Sequence, residues 1–327
     1  MRCMEGGYDI RSRRTKIFSL MNPTNLFVPL TDLGLIRASG EEAAQFLHNL
    51  LTNDITHLTP EGARRAALCT AKGRMIASFT IWREGPDYLL KLSADILPGI
   101  LKKLSMYILR SKVKLTDISA DRTLIGITTN DGPQADALFG KLAPMTTAPF
   151  EGGTVVRLDD WRFVVAVPTV NAAAAQAKLT ALGHRADLVA WHLAEITAGI
   201  PRVVAATQEM FTPQMLNFEH AAIGGVSFQK GCYPGQEVVA RTHYLGKVKR
   251  RMYRVKLDQE FAPGTDVFTP EAGDQHCGAV VLTAPSPNSG FESLLVVQSS
   301  GAESNDVHVG KPDGPKALLL PMPYAVE

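Results

Sequence analysis

Hydrophobic and polar positions follow two different periods along the first part of the chain. Residues 33–38 are mostly apolar and predict a short strand, whereas apolar residues recur at helical spacing over 43–51. Ser39 and Glu42 stand three residues apart just before that helix, which is the spacing of a capping box. The pattern therefore predicts a strand that leads through a capped start into an amphipathic helix.

Alternating apolar residues and turn residues predict the rest of two α+β units. In the first unit we expect strands at 64–71, 75–83, 88–92 and 113–117 and a helix at 94–109. In the second unit we expect strands at 123–128, 154–158 and 161–167 and helices at 132–142, 171–182 and 188–198. The two units share an order of elements, and no sequence repeat relates them.

The pattern changes near residue 251, where short β-rich runs alternate with loops of Gly, Pro, Asp and Ser. Such a pattern, without a helical period, is typical of a small antiparallel β-barrel or sandwich. The fold class predicted for the chain is therefore α+β. The expected divisions are a flexible N-terminal extension at 1–26, a first α+β unit at 27–120, a second at 121–247 and a small C-terminal β-barrel at 248–327.

Composition narrows the class of protein. The chain is 45% apolar and 20% charged, which is typical of a soluble globular protein, and it holds no run near the ~20 apolar residues of a membrane span. A formal charge of +2 gives the whole molecule little attraction for nucleic acid. The four cysteines form no CxxC pair and no zinc-finger spacing. We therefore expect no metal site and a reducing, cytoplasmic compartment.

The first 20 residues are rich in arginine and have two interpretations. Their charge is that of a transit peptide, but Glu5 and Asp9 interrupt it and no clear amphipathic pattern follows. The other interpretation is a disordered extension ahead of a second start at Met21, and this is the one we expect.

The segment 230–241, KGCYPGQEVVAR, combines a turn with the start of a helix. Proline and glycine at the second and third positions of 233–236 suit a type II turn, because glycine accepts the positive φ that this turn requires. A short helix is expected to start at Gln236, with Glu237 and Arg241 paired four residues apart. Gly231 gives the chain freedom just before the turn, and Gly235 is the glycine of the turn itself.

Cys232 is thereby predicted to lie just before a tight turn and close to a helix N-terminus. Lys230 is two residues away, and both a cation and a helix N-terminus favour thiolate over thiol. Tyr233 offers an aromatic face and Gln236 an amide. Two alternatives stay open at this point: Cys232 is a small buried apolar residue, or it is the nucleophile of a Cys/His enzyme with His243.

Seven Lys and Arg residues and no acid lie between 241 and 256. One interpretation is a patch for a polyanion such as polyglutamylated folate, tRNA or an acidic partner. The other is a solvated strand with its charges outward, which alternation with Tyr253 and Val255 favours.

The run 224–241, GGVSFQKGCYPGQEVVAR, resembles the signature of the YgfZ-type folate-binding proteins and of their mitochondrial counterpart in iron–sulfur protein maturation. Eight of these residues, KGCYPGQE, make a far more specific match than a lone glycine-rich loop. The resemblance covers roughly residues 27–325. Its other segments are 46–54, 67–75, 109–113, 211–218 and 321–324.

This family is similar to the glycine-cleavage T protein, which implies a ring of three domains around a cavity that holds tetrahydrofolate. By resemblance, Trp191 lies where the family has an aromatic wall for the folate, and an indole stacks well on a pteridine or aminobenzoyl ring. The alternative for Trp191 is a core tryptophan at the start of an amphipathic helix. Asn53, Asp54 and Arg110 are expected to be scaffold around the cavity.

The sequence departs from the pattern of the T protein in three places. The stretch 73–79 lacks the Asp pair that takes part in aminomethyl chemistry, so a carboxylate is missing there. An acidic residue of many relatives is replaced by Thr197, and an aromatic one by Leu33.

The resemblance implies a tetrahydrofolate-binding accessory protein for assembly or repair of iron–sulfur enzymes, with Cys232 as a reactive thiol. Its partners would be folate and iron–sulfur enzymes or cluster carriers, with tRNA modification supported indirectly and direct tRNA binding also open. The alternative is a tetrahydrofolate-dependent aminomethyl or one-carbon transferase. Among the other thiols, Cys69 in an apolar strand should be inert, and Cys277 should rank second in reactivity.

Overall fold

The computed structural model describes residues 25–246 and 248–326. Nearly all of the predicted N-terminal extension, with Cys3 and the second start at Met21, lies outside the described residues. In chain order the first elements are β1 (Leu26–Pro29), β2 (Leu33–Ser39), α1 (Ala43–Leu50), β3 (Ala63–Cys69), β4 (Met75–Glu84), β5 (Asp87–Ser93), α2 (Leu97–Ser105) and β6 (Lys114–Asp117).

Five of these strands form an antiparallel sheet in the order β3-β4-β5-β2-β6. Helix α1 buries one side against it, because Phe46, Leu47 and Leu50 recur at helical spacing. The predicted capping box is wrong: Glu42 is the N-cap, but its carboxylate accepts from the backbone N–H of Lys112 at 2.5 Å instead. Helix α2 is also shorter than 94–109, since consecutive turns replace it after Ser105.

The second part of the chain forms a six-stranded sheet in the order β11-β1-β7-β10-β9-β8. Strand β8 was not predicted. Strand β1, which a boundary at residue 27 assigns to the first unit, pairs instead with β7 of this sheet. The elements are β7 (Arg122–Thr128), α3 (Gly132–Phe139), β8 (Thr146–Phe150), β9 (Gly153–Arg157), β10 (Arg162–Pro168), α4 (Ala172–Leu179), β11 (His184–Arg185) and α5 (Leu188–Thr197).

Six strands at the C-terminal end close into the predicted β-barrel. Their order is β16-β13-β14-β15-β12-β17, and a bridge joins His308 of β16 to Lys316, two residues before β17. The backbone N–H of Ala317 also donates to Val307 O at 2.8 Å, which continues the closure. The elements are α6 (Gln236–Leu245), β12 (Arg250–Leu257), β13 (Asp266–Phe268), β14 (Gly278–Pro285), β15 (Phe291–Gln298), the unpredicted α7 (Ser299–Ser304), β16 (His308–Val309) and β17 (Leu318–Leu320).

The α-helices are short, and the sheets dominate the architecture. The longest described ones, α5 and α6, have 10 residues each. No helix in the part of the chain that the structure describes is long and apolar enough to cross a membrane. The α+β fold with a C-terminal barrel is confirmed.

Helix α5 lies on the second sheet through Trp191, whose side chain has no exposed surface. The indole fits against Gly126 of β7, where an added Cβ would stand 2.4 Å from the ring. Only a residue without a side chain leaves room for the ring at this point. The contact therefore fixes the distance between α5 and the sheet.

Replacing Gly126 by Ala should destabilise the protein by about 1–3 kcal/mol, because a packed core cannot move the indole away without strain. Urea unfolding followed by circular dichroism measures this change in the free energy of unfolding. Gly99→Ala is the matched control, since nothing lies within 4 Å of the added Cβ in the exposed side of α2. This control should be unchanged or up to about 1 kcal/mol more stable. A Gly126→Ala protein as stable as the wild type would show that Trp191 does not fix this spacing.

Candidate functional site

The turn at 233–236 has the geometry that the sequence predicts. The N–H of Gln236 donates to Tyr233 O at 3.1 Å, and Gly235 has φ 82° and ψ 1°, as the third position of a type II turn requires. A Cβ on Gly235 would stand 2.3 Å from Thr70 O. The turn is therefore pressed against the hairpin that joins β3 and β4, and α6 starts from it.

Lys230 fixes the other end of this segment. Its ammonium is buried, donates to the backbone oxygens of His48 and Leu51, and stands 4.8 Å from the ring centroid of Tyr233. The two carbonyls lie at the end of α1, where backbone oxygens lack partners within the helix and favour a cation. Burial lowers the pKa of Lys230 to about 8, although the charges of Asp54 and Cys232 act to raise it.

Cys232 lies between these two fixed points and is exposed. It is thus not a core cysteine, and it is solvent-reachable as predicted. Burial raises the pKa of Cys69 to about 12, which agrees with the inert thiol expected there. Cys277 is buried beside Thr269, with 3.7 Å between Sγ and Oγ1. This burial does not fit the prediction that Cys277 is the second most reactive thiol.

The residues around Cys232 differ in their roles. Tyr233 is buried and packs under Lys230 rather than offering a free face. The predicted pair of Glu237 and Arg241 is wrong: both side chains are exposed, and among the described residues no ion pair joins them. His243, the alternative partner of the thiol, stacks on Phe228 with 3.7 Å between ring centroids.

A polar cluster that the sequence reasoning missed lies beside Gly231. His48 Nδ1 and Asp54 Oδ1 are 3.1 Å apart, and His57 Nδ1 stands 2.7 Å from Asp54 Oδ2. Although burial acts to raise the pKa of Asp54, hydrogen bonds from Thr56 and His57 hold it well below its usual range. The sequence feature that corresponds to this cluster is a histidine on α1 six residues before an Asp. The turn after the helix brings these two side chains together.

A cavity of about 470 Å³ lies where three parts of the chain meet. Arg64 of the first sheet, Trp161 at the tip of the β9–β10 hairpin and Tyr324 near the C-terminus line it together. Arg64 Nε is buried and has no hydrogen-bond partner among the described residues, which marks a donor available to a ligand. The other residues that line the cavity are 53, 63, 65, 144–145, 158–160, 197–198, 200, 221–224 and 323.

Trp191 does not form the wall of this cavity. The Arg162 guanidinium lies 5.3 Å from the ring of Trp161 and 5.8 Å from that of Trp191, and it is 1% exposed. The order from the cavity inward is therefore Trp161, Arg162 and then Trp191. Trp191 lies on the buried face of an amphipathic helix, as its helical spacing indicates. Trp161 follows two aspartates in a turn, and this polar setting is the sequence feature that indicates an accessible ring.

The predicted scaffold residues separate in the structure. Asn53 lines the cavity, and its Nδ2 donates at 2.7 Å both to Arg65 O and to Gly224 O, so it joins two of the walls. Asp54 belongs to the cluster beside Gly231 instead. Arg110 lies on an exposed turn away from the cavity, so its predicted place is wrong.

Part of the positive charge of the stretch 241–256 is neutralised by acidic residues from other parts of the chain. Arg251 pairs with Glu219, and Arg254 Nε donates to Glu292 at 2.9 Å. Both side chains are largely buried. Two of its cations are thus neutralised within the protein, which fits neither a continuous patch nor a strand with all charges outward.

No group of three or more His, Cys, Asp or Glu side chains within the described residues is arranged to hold a metal ion. The chemistry that the site itself offers is therefore a thiol, a pair of histidines on one carboxylate, and an aromatic cavity with a free cationic donor.

Comparison with known proteins places this geometry in a family. The family described as GCVT N-terminal domain matches residues 27–152. In three dimensions the chain is similar to the glycine cleavage system aminomethyltransferase T from Bartonella henselae, with a TM-score of 0.71 over 96% of this chain and 90% of that one. At 17% identity this likeness shows the shared fold.

The curated relatives share more of the sequence, and they carry the name tRNA-modifying protein YgfZ. The protein of Photorhabdus laumondii is 30% identical over 307 residues, which is 91% of this chain and 92% of the relative. That of Colwellia psychrerythraea is 31% identical over 77% of this chain and 78% of the relative, and that of Escherichia coli O127:H6 is 27% identical over 91% and 93%. A chain that matches such relatives over nearly its full length, with the fold of a glycine-cleavage T protein, belongs to the YgfZ family.

Proposed function

We propose that this chain is a tetrahydrofolate-binding accessory protein for the assembly or repair of iron–sulfur enzymes, with Cys232 as its reactive thiol. Its part in tRNA modification is then indirect, through iron–sulfur enzymes that modify tRNA. One observation carries the proposal: in a YgfZ-family chain with a ligand-sized cavity, an exposed cysteine on a fixed turn follows Gly231, which lies beside His48, and His48 is bonded to Asp54, the residue after the cavity-lining Asn53.

The cavity has the properties that a reduced folate requires. Its volume of about 470 Å³ is within the range of small-molecule sites, roughly 300–1,000 Å³. Trp161 supplies a ring for stacking on a pteridine or aminobenzoyl group, and the unpaired Arg64 Nε supplies a donor for a glutamate carboxylate. Bound tetrahydrofolate would supply a carrier for one-carbon units.

Residues 53 and 54 connect the cavity with the thiol. Asn53 lines the cavity, and the next side chain, Asp54, bonds His48, which lies beside Gly231. A ligand that shifts Asn53 therefore also acts on the surroundings of Cys232. This proximity supports one site with a folate side and a thiol side.

The aminomethyltransferase alternative has support from the fold of the Bartonella henselae enzyme. Against it stands the stretch 73–79, which leads into β4 and has no carboxylate to serve as an acid, base or cation stabiliser. Just beyond this stretch, Thr80 of β4 pairs with Lys91 of β5. Both are buried, and burial lowers the pKa of Lys91 to about 8. A cationic amine opposes the stabilisation of an iminium group.

Tetrahydrofolate should bind with a saturable heat at sub-millimolar concentration in a calorimetric titration of the wild-type protein. Trp161→Leu should weaken binding about 2- to 10-fold or more, because ring stacking contributes about 0.5–1.5 kcal/mol beyond buried area. It should also remove most of the folate-dependent change in tryptophan fluorescence, since the indoles of Trp82 and Trp191 are fully buried.

Arg64→Gln tests the carboxylate contact in the same titration, with Arg37→Gln in β2 as its control. Arg37 pairs with Asp87 and does not line the cavity. Absence of saturable binding in the wild type, or equal affinity in the wild type, Trp161→Leu and Arg64→Gln, would refute the folate site.

Cys232→Ser should abolish most of the support for iron–sulfur enzymes and leave the fold intact. An exposed thiol contributes little packing, so its loss should change the free energy of unfolding by less than about 0.5 kcal/mol. Activities of four-iron enzymes in a strain that lacks this protein, restored with the wild type or the variant, measure the effect.

Gln229→Ala is the control for that experiment, because Gln229 is exposed in the same segment and lies outside 230–237.

Purified protein should transfer no aminomethyl group from a glycine-derived donor to tetrahydrofolate. Full enzyme activities with Cys232→Ser, or transfer at the rate of a T protein, would favour the alternative function.

A further inference from the structure

His48 presents one nitrogen to Asp54 and the other to the segment that carries Cys232. Its Nδ1 stands 3.1 Å from Asp54 Oδ1. A Cβ built on Gly231 would lie 3.7 Å from His48 Nε2, and no other heavy atom outside the neighbouring residues is within 4 Å of that point. Nε2 therefore faces the backbone one residue before Cys232.

The carboxylate decides which nitrogen of His48 carries the proton. An ionised carboxylate only accepts hydrogen bonds, so the neutral imidazole donates from Nδ1 to Asp54. The lone pair is then on Nε2, on the side of Gly231. A second partner, Thr56 Oγ1, donates to the same Asp54 oxygen at 2.8 Å and holds the carboxylate in place.

The surroundings of His48 favour its neutral form. Burial lowers its pKa, the ammonium of Lys230 lowers it further, and Asp54 acts in the opposite direction. His57 is the remaining titratable group that acts on it. Lys230 is bonded to the backbone oxygen of His48, and its own pKa responds to the charges of both Asp54 and Cys232, so all these groups share one small region.

We propose that His48 is the proton acceptor for the Cys232 thiol and that Asp54 is the positioning residue that orients its imidazole. This inference rests on the proposed role of Cys232 and adds to it the group that activates the thiol. The S–H bond of Cys232 breaks, an N–H bond forms at His48 Nε2, and the products are a thiolate and an imidazolium. Asp54 stabilises the imidazolium, and the fixed ammonium of Lys230 stabilises the thiolate.

The thiolate population of Cys232 is measured by its alkylation rate with iodoacetamide, followed by mass spectrometry of the peptide that contains Cys232. His48→Gln should lower this rate at pH 7 by about 10-fold, the order by which neighbouring groups change thiolate populations. At pH 10 the rates of variant and wild type should converge, because the thiol then ionises without a protein base. Imidazole added to His48→Ala should restore part of the rate.

The Asp54→Asn variant distinguishes two roles of Asp54, orienting His48 or acting only through its charge, because they change the alkylation rate of Cys232 in opposite directions. Removal of a negative charge near a thiol favours the thiolate and raises the rate if Asp54 acts only through its charge. Loss of an oriented His48 lowers the rate instead, and this is the expected result. The variant also decides the question if His48→Gln fails to fold.

His184→Gln is the control, because His184 is exposed on β11 of the second sheet and does not belong to the cluster of His48, Asp54 and His57. It should alkylate within about 2-fold of the wild type. An unchanged rate in His48→Gln, an equal effect of His184→Gln, or a faster Asp54→Asn would overturn the proposal. The alkylation assay uses purified protein without folate. Its result therefore does not depend on whether the protein supports iron–sulfur enzymes, and a negative alkylation result would not by itself refute that proposed function.

Discussion

The buried ammonium of Lys230 at the end of α1 is the interaction on which the site depends. A charge in the interior is costly unless it is paired, and here two backbone oxygens and the ring of Tyr233 provide the compensation. The same carbonyls would otherwise lack partners at the end of the helix. Because this contact joins α1 to the segment before α6, it determines where Cys232 stands relative to His48 and Asp54.

The cavity and the thiol share a short piece of backbone after α1. Asn53 holds the cavity walls together through Arg65 O and Gly224 O, while Asp54 holds the histidines. Arg65 adds to this connection, since its buried guanidinium donates to Ile223 O at 3.0 Å and to Leu158 O at 3.2 Å. Polar side chains, rather than apolar packing alone, thus position the walls of the site.

Local pattern was sufficient to predict most of the longer strands, the α+β class, the barrel and the turn that follows Cys232. These features depend on residues that are neighbours in sequence, such as the glycine at position 235. The errors lie where distant residues decide. Glu42 bonds Lys112 instead of capping its own helix, and Trp191 lies one layer behind the cavity because Arg162 separates it from Trp161. The cluster of His48, Asp54 and His57 depends on a turn whose geometry no periodicity encodes.

The pairing of β1 with β7 has a consequence for the way the chain is synthesised. The first described strand finds its neighbour only after residues 122–128 have left the ribosome, and β11 at 184–185 completes that edge later still. The whole first sheet is thus enclosed as an insertion between two strands of the second sheet. During translation, the apolar side chains of Leu26 and Val28 therefore stay exposed until β7 has been made, and transiently exposed apolar surface of this kind promotes aggregation unless a chaperone covers it.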